Sequence, residues 1–240
     1  MWMICKKEWQ QFFSSLTGYL ALIVFLLLNG LFLFVFPDSN LLDFGYANLG
    51  GFFTLAPWLL LFLVPTITMR TFADEYKSGN FEILKTLPIT PNAIIIGKYL
   101  GALIIVLTAL IPTVIYAFSI QSLSITGGID VGGTMGSYIG LCFLAAVFTA
   151  IGIAASSFTN NTVVAFIAGA FVCFILFIGF SAMSKLPLFN AGLDYYIELL
   201  GIQYHYRSIS RGVIDSRDLI YFIGLIAVFL FITSKNLLKR

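Results

Sequence analysis

The chain has 240 residues, of which 60% are hydrophobic and only 10% are charged, with 13 Lys and Arg against 11 Asp and Glu. An ordinary soluble domain has roughly 25% charged residues, and a water-soluble fold could not cover its surface with the few charges of this chain. A disordered chain is also excluded, because disorder needs low hydrophobicity and high charge. The composition therefore predicts an integral membrane protein, and a net charge of +2 gives no indication of a nucleic-acid partner.

The first predicted element is an amphipathic helix that precedes the first apolar run. Its apolar residues recur every three to four positions, and polar side chains such as Lys6 and Lys7 occupy the other face. This pattern is typical of a helix that lies in the membrane interface. Two roles stay open for it, a simple membrane anchor and a docking element. Its aromatic residues are Trp2, Trp9, Phe12 and Phe13.

Six apolar runs that follow are long enough to cross a bilayer, which takes about 20 residues. They contain no Asp, Glu, Lys, Arg or His. Lipid offers no partners to backbone groups, and continuous rather than alternating apolar sequence favours helices over a barrel. We therefore expect an all-α integral membrane protein with a single transmembrane domain over residues 1–240. The predicted spans are 16–36, 52–69, 99–120, 136–158, 162–183 and 219–234.

Prolines and glycines add detail to these spans. Pro57, Pro65 and Pro112 lie inside spans, and each predicts a kink because proline removes a backbone donor. Thr90 and Pro91 form an N-cap and first helical residue that open the third helix. Small residues at intervals of four let helix backbones approach closely, either within one bundle or between subunits. Such a stripe enters the fourth span at Gly132, Gly136 and Gly140.

The distribution of basic residues predicts that both termini lie in the cytoplasm. With the N-terminus inside, the cytoplasmic segments hold nine Lys and Arg and the outer segments hold four. Membrane proteins carry such an excess on the cytoplasmic side. The 37–51 loop, which has Asp38 and Asp43 but no base, fits the outer face.

The sequence shows no catalytic constellation. It has no G-x-x-x-x-G-K-[ST] loop for a nucleotide, no H-E-x-x-H and no G-x-S-x-G. The three cysteines, Cys5, Cys142 and Cys173, lack metal-ligand spacing, and the single histidine, His205, cannot form a zinc site alone. We therefore expect neither an enzyme nor a metal site, and energy for uphill transport would have to come from another subunit.

Residues 70–98 form the most charged stretch of the chain, and they contain the clearest indication of function in the sequence. The second helix is expected to continue into the cytoplasm as far as Ser78, with Gly79 as its C-cap. A short helix should follow and end at Pro88. Such a helix at the end of a rigid span suits docking of a soluble partner, although a solvated loop is the alternative. Its apolar side carries Phe81, Leu84 and Leu87.

The sequence EYKSGNFEILKTLPITP at 75–91 resembles the cytoplasmic loop of ABC-2 type transporter permeases. In that family the loop holds the coupling helix that docks into the ATPase subunit. The N-terminal helix and residues 204–221 also resemble the family, and together they look most like the gliding-motility-associated (GldF-type) permease subunits. The copper-maturation permeases are the nearest alternative. The matching loop residues are Glu75, Gly79, Glu82, Leu84, Leu87, Pro88 and Lys98.

The resemblance implies a six-helix permease subunit in the cytoplasmic (inner) membrane of a bacterium. It would pair with a second permease half, which is either its own copy or a companion subunit with a large outer domain. Separate cytoplasmic ATPase subunits would bind ATP and Mg²⁺, so this chain would hold no cofactor. Residues 186–218 would form short outer helices that pack on the bundle.

Docking is assigned to 81–87, with Glu75 and Glu82 as polar contacts. The implied function is ATP-driven export or mechanical work, in gliding motility. A non-transporting scaffold of an ATP-driven machine is an alternative with the same features. A secondary carrier fits less well, because carriers need polar or charged groups within the membrane.

Overall fold

The chain folds into a bundle of helices. All regular secondary structure in the described ranges is helical, and six helical runs are long and apolar enough to cross a membrane. These findings confirm the predicted all-α membrane fold with six crossing helices. The acidic 37–51 loop falls mostly outside the described residues. The computed structural model describes residues 1–36, 48–86, 88, 90–124, 128–186, 192–213 and 215–239.

The first half of the chain supplies three crossing helices and the segments beside them. The helices are α1 (Trp2–Phe13), α2 (Leu16–Phe34), α3 (Gly50–Thr68), α4 (Arg70–Ser78), α5 (Asn80–Thr86), α6 (Pro91–Leu110) and α7 (Val114–Leu123). The second crossing run joins α3 to α4 over Gly50–Ser78, and the third joins α6 to α7 over Pro91–Leu123.

The second half supplies three further crossing runs and two short helices between the last two. The helices are α8 (Val131–Phe158), α9 (Thr162–Phe174), α10 (Phe180–Ser184), α11 (Leu193–Leu199), α12 (Ile202–Ser210) and α13 (Ser216–Lys239). A π-helical turn, Ile175–Gly179, joins α9 to α10 within the fifth run. The short helices α11 and α12 occupy the segment 186–218 in which short outer helices were expected.

Helix ends follow local sequence signals more closely than they follow hydropathy. The second run ends at Ser78, as expected, because Gly79 adopts the left-handed conformation with φ of 72°. The third run begins at Pro91 rather than at residue 99, with Thr90 as N-cap. Apolar runs mark the part of a helix that contacts lipid, whereas backbone hydrogen bonding continues until a cap intervenes.

Pro112 lies in the 3₁₀ turn Ile111–Thr113 between α6 and α7, where the regular α-helix is interrupted. The helix α3 continues through Pro57 and Pro65. Its boundary with α4 comes at Met69, whose N–H donates to the carbonyl of Pro65 at 2.9 Å.

The helix α8 forms the centre of the bundle and packs against α3, α6, α9, α12 and α13. Its side chains Leu141, Leu144, Phe148 and Ile151 are almost completely buried. By contrast, few residues of α2, α9 and α13 are buried, at 22%, 22% and 17% of the apolar windows of their crossing runs. These outer helices present large apolar side chains, which suits contact with lipid or with another membrane subunit.

The two ends of the bundle differ in composition. The near end, which carries both chain termini, contains α1, α4, α5, the start of α6 and the end of α13, where Asn236 Nδ2 donates to the carbonyl of Ser157 at 2.6 Å. The far end contains α11, α12 and the start of α8. Which end faces the cytoplasm stays a prediction, based on the basic residues.

Candidate functional site

A buried lysine joins three helices at the near end. The Lys98 side chain is only 1% exposed, and its Nζ lies 2.8 Å from Glu8 Oε1 of α1 and 2.9 Å from Glu75 Oε1 of α4. The same ammonium donates to the carbonyl of Thr71 at 2.7 Å and lies 5.0 Å from the centre of the Phe72 ring. One cation of α6 thus holds both the N-terminal helix and the extension of the second crossing helix.

A second lysine completes this group. Lys7 Nζ donates to Glu75 Oε1 at 2.8 Å. Burial lowers the pKa of Lys7, but the hydrogen bond to Glu75 and the charges of Glu75 and Glu8 outweigh it, so the pKa lies above its ordinary 10.5. We call Lys7, Glu8, Glu75 and Lys98 the near-end ion cluster. Its two cations balance its two carboxylates, which limits the cost of burial.

Two glycines of α6 allow α1 to come this close. A Cβ atom on Gly97 would lie 3.0 Å from Ile4 Cβ and from the Met1 carbonyl oxygen, and one on Gly101 would lie 2.8 Å from Glu8 Cβ. The spacing of four residues places both glycines on one side of α6. This glycine pair was not predicted from the sequence, although the two glycines flank Lys98 and have the spacing of a close helix contact.

The short helix α5 turns its apolar side toward its own chain. Phe81 is 4% exposed, and its ring lies edge-on to Tyr76 with centroids 4.8 Å apart. Leu84 is half-buried against the core, whereas Glu82 is exposed. The predicted apolar docking face is therefore already covered at Phe81, because aromatic side chains of α4 lie next to it. Leu87 lies outside the described residues, and Pro88 is exposed.

One of the two predicted polar contacts, Glu75, lies inside the chain and not on its surface. Glu75 was expected to face a docking partner, but its side chain is buried and bound to Lys7 and Lys98. Its second oxygen, Oε2, is buried and has no hydrogen-bond partner within the described ranges. Glu75 therefore fixes α4 within this chain, and among the predicted polar contacts only Glu82 is accessible.

The aromatic residues of α1 do not share one environment. Trp2 is 74% exposed, whereas Trp9, Phe12 and Phe13 are partly buried and pack against the core. Ile4 and Cys5 are buried, so α1 packs on the bundle along its length, and Trp2 is the predicted interfacial aromatic residue that stays exposed.

The glycine stripe of α8 lies against the far-end helix α12. A Cβ atom on Gly136 would lie 2.7 Å from Gly212 Cα, and one on Gly140 would lie 3.3 Å from the Tyr206 ring. Conversely, a Cβ on Gly212 would meet the backbone of Gly132 at 3.3 Å. These contacts favour packing within one chain over packing between subunits.

A buried His–Asp pair fixes α12 to α13 at the far end. His205 Nδ1 lies 2.6 Å from Asp218 Oδ1, and Nε2 lies 2.9 Å from the carbonyl oxygen of Leu199. The imidazole also stacks on Tyr221 at 3.9 Å. Because a carbonyl oxygen can only accept, Nε2 is the donor in its contact with Leu199. This pair was not predicted from the sequence, in which the single histidine cannot form a zinc site alone and Asp218 lies 13 positions away.

A cavity of about 510 Å³ also lies at the far end, between α3, α8 and α12. No group of His, Cys, Asp and Glu side chains in the described part of the chain has the arrangement of a metal site. The near-end ion cluster and this cavity are therefore the two sites at which function can be sought.

Comparison with protein families identifies the family of the chain. Residues 49–235 match the family model described as ABC-2 family transporter protein. The match includes α3 to α12 and most of α13, well over half of the chain, while α1 and α2 precede it. No curated protein matches the chain.

Proposed function

The chain belongs to the ABC-2 family of transporter proteins, and from this premise we propose that α4 and α5 form a coupling segment that docks an ATPase subunit. A permease subunit of this family is a multi-pass membrane protein that works with a separate cytoplasmic ATPase. ATP and Mg²⁺ are accordingly assigned to the partner, and no cofactor is assigned to this chain.

The observation that carries the proposal is the buried attachment of α4. The run Gly50–Ser78 has 29 residues, which corresponds to about 43 Å at 1.5 Å per residue. The hydrocarbon core is about 30 Å thick, so α4 extends beyond it at the near end. Lys98 of α6 binds this extension and α1 through ion pairs. A displacement of α5 would therefore be transmitted to α1, α4 and α6 together.

The docking surface is the exposed side of α5, with Glu82 at its centre. Phe81 packs inward against Tyr76 and holds α5 on α4, whereas Asn80 and Glu82 are exposed. We propose that Glu82 contacts the ATPase directly, and that Glu75 acts only by positioning α4.

The test is co-purification of the complex in mild detergent with Glu82→Lys in place of the parent chain. We expect the substitution to weaken ATPase association about tenfold, equivalent to about 1.4 kcal/mol, while the bundle stays folded. Asp194→Lys is the matched control, because Asp194 is exposed on α11 at the opposite end. Equal loss of the ATPase in both variants, or in neither, would contradict docking at α5.

We further propose that the chain serves gliding motility and pairs with a second permease half. Support comes from the resemblance of 75–91, the N-terminal helix and residues 204–221 to gliding-associated permeases. A strain without this chain should then lose surface gliding and retain the activity of its copper enzymes. The reverse result would favour the copper-maturation permeases.

A further inference from the structure

The far-end cavity has a divided lining. Phe177 is only 2% exposed and forms an apolar wall together with Phe53 and the partly exposed Trp58. Gln203 and Arg207 of α12 line the same cavity, and Arg207 is exposed. The lining thus combines aromatic side chains with an exposed basic side chain.

The walls of the cavity are fixed by buried hydrogen bonds. The Tyr206 hydroxyl donates to the carbonyl of Phe53 at 2.7 Å, which joins α12 to α3. The Ser137 hydroxyl donates to the carbonyl of Ser210 at 3.1 Å, which joins α12 to α8. Phe177 itself lies in the π-helical turn of the fifth run, and such turns are frequent at functional sites. The cavity is therefore preformed, as small-molecule sites usually are.

The two charged side chains that line the cavity, Asp130 and Arg207, have different partners. Asp130 also lines it, but its Oδ1 accepts from the Gly133 N–H at 3.1 Å. This carboxylate caps the N-terminus of α8, where the helix dipole offsets its charge. Arg207 forms no ion pair within the described residues. Asp130 is thus engaged as a helix cap, and Arg207 is the charged group of the lining that stays available for a ligand.

We propose that this cavity binds an amphiphile with an anionic head group, which Arg207 holds, and an apolar tail, which contacts Trp58 and Phe177. A guanidinium group binds carboxylate or phosphate through two parallel hydrogen bonds. The volume of about 510 Å³ lies within the roughly 300–1,000 Å³ of ordinary ligand sites. The site needs no ATPase, so the proposal stands apart from coupling at the near end.

Trp58 supplies the readout, because the chain has only three tryptophans. Trp2→Phe and Trp9→Phe leave Trp58 as the single tryptophan in the full chain. This background is placed in nanodiscs of zwitterionic lipid and titrated with a brominated fatty acid, whose bromines quench tryptophan at contact. We expect saturable quenching, and at least tenfold weaker binding of the uncharged methyl ester, a difference of about 1.4 kcal/mol.

Two variants test the role of the arginine. Arg207→Gln should weaken fatty-acid binding about tenfold, whereas Arg211→Gln should leave it unchanged, because Arg211 is exposed at the end of α12 and does not line the cavity. Inorganic phosphate alone should compete only weakly, since it lacks a tail. Non-saturable quenching, equal binding of acid and ester, equal competition by free phosphate, or an unchanged Arg207→Gln variant would overturn the proposal.

Discussion

Replacement of Lys98 by methionine should destabilise the near end severely. Methionine keeps much of the apolar stem but removes the ammonium that lies 2.8 Å from Glu8 and 2.9 Å from Glu75. Two buried carboxylates then face each other with only the more exposed Lys7 nearby. Removal of one partner from a buried ion pair costs about 3–5 kcal/mol. For a chain of this length that corresponds to a fall in Tm of roughly 6–20 °C on the scale of soluble domains.

The assay is thermal unfolding in detergent, followed by tryptophan fluorescence, with Lys6→Met as control. Lys6 lies on α1 beside the cluster but is exposed, so its substitution should change stability by less than about 0.5 kcal/mol. A Lys98→Met/Glu75→Gln double variant should recover at least about 1 kcal/mol, because it also removes one unpaired carboxylate. Equal Tm values for the two lysine variants, or strictly additive effects in the double variant, would refute the reasoning.

Three further substitutions probe the packing and charge of both ends. Gly101→Leu should lower the Tm through about 1–3 kcal/mol of overpacking, since a Cβ atom at this position already lies 2.8 Å from Glu8. Gly30→Ala should leave the Tm unchanged, because a Cβ atom there has no neighbour within 4 Å. An unchanged Tm for Gly101→Leu would show that α1 does not pack there. Asp218→Ala should destabilise the far end by about 1–3 kcal/mol, because it removes the buried hydrogen-bond partner of His205. Protease resistance of the 192–213 segment would report the loss. Full resistance in the variant would exclude a structural role for the pair. Because the pKa of Lys7 is raised in the folded state, its contribution to stability is complete below pH 10.5 and is lost as the pH rises through the folded-state pKa. The Tm difference between the parent chain and Lys7→Gln should therefore shrink in alkali. A Tm difference that grows in alkali would contradict this prediction.

The crossing helices could be predicted from the sequence because each is a long apolar run, and lipid permits few alternatives to a helix. The end of the second helix was also predictable, since only a residue such as Gly79 readily adopts φ of 72°. Both signals are local, so one sequence is sufficient to read them.

The near-end ion cluster was not predictable in this way. Lys98 resembles a loop residue in a basic cytoplasmic segment, and only the structure shows that Glu8, 90 positions away, lies beside it. Likewise, the apolar side of α5 could face a partner or its own chain with the same sequence pattern. The aromatic contact between Phe81 and Tyr76 decides this point, and it depends on the turn between α4 and α5.

The most direct test of the central claim is photo-crosslinking from position 82 in intact cells. A photoreactive residue in place of Glu82 should capture a protein that mass spectrometry identifies as an ABC ATPase. The same residue in place of Asp194, on α11 at the far end, should capture none. An ATPase that crosslinks at 194 but not at 82, or that co-purifies without a crosslink at 82, would contradict docking of the ATPase at α5.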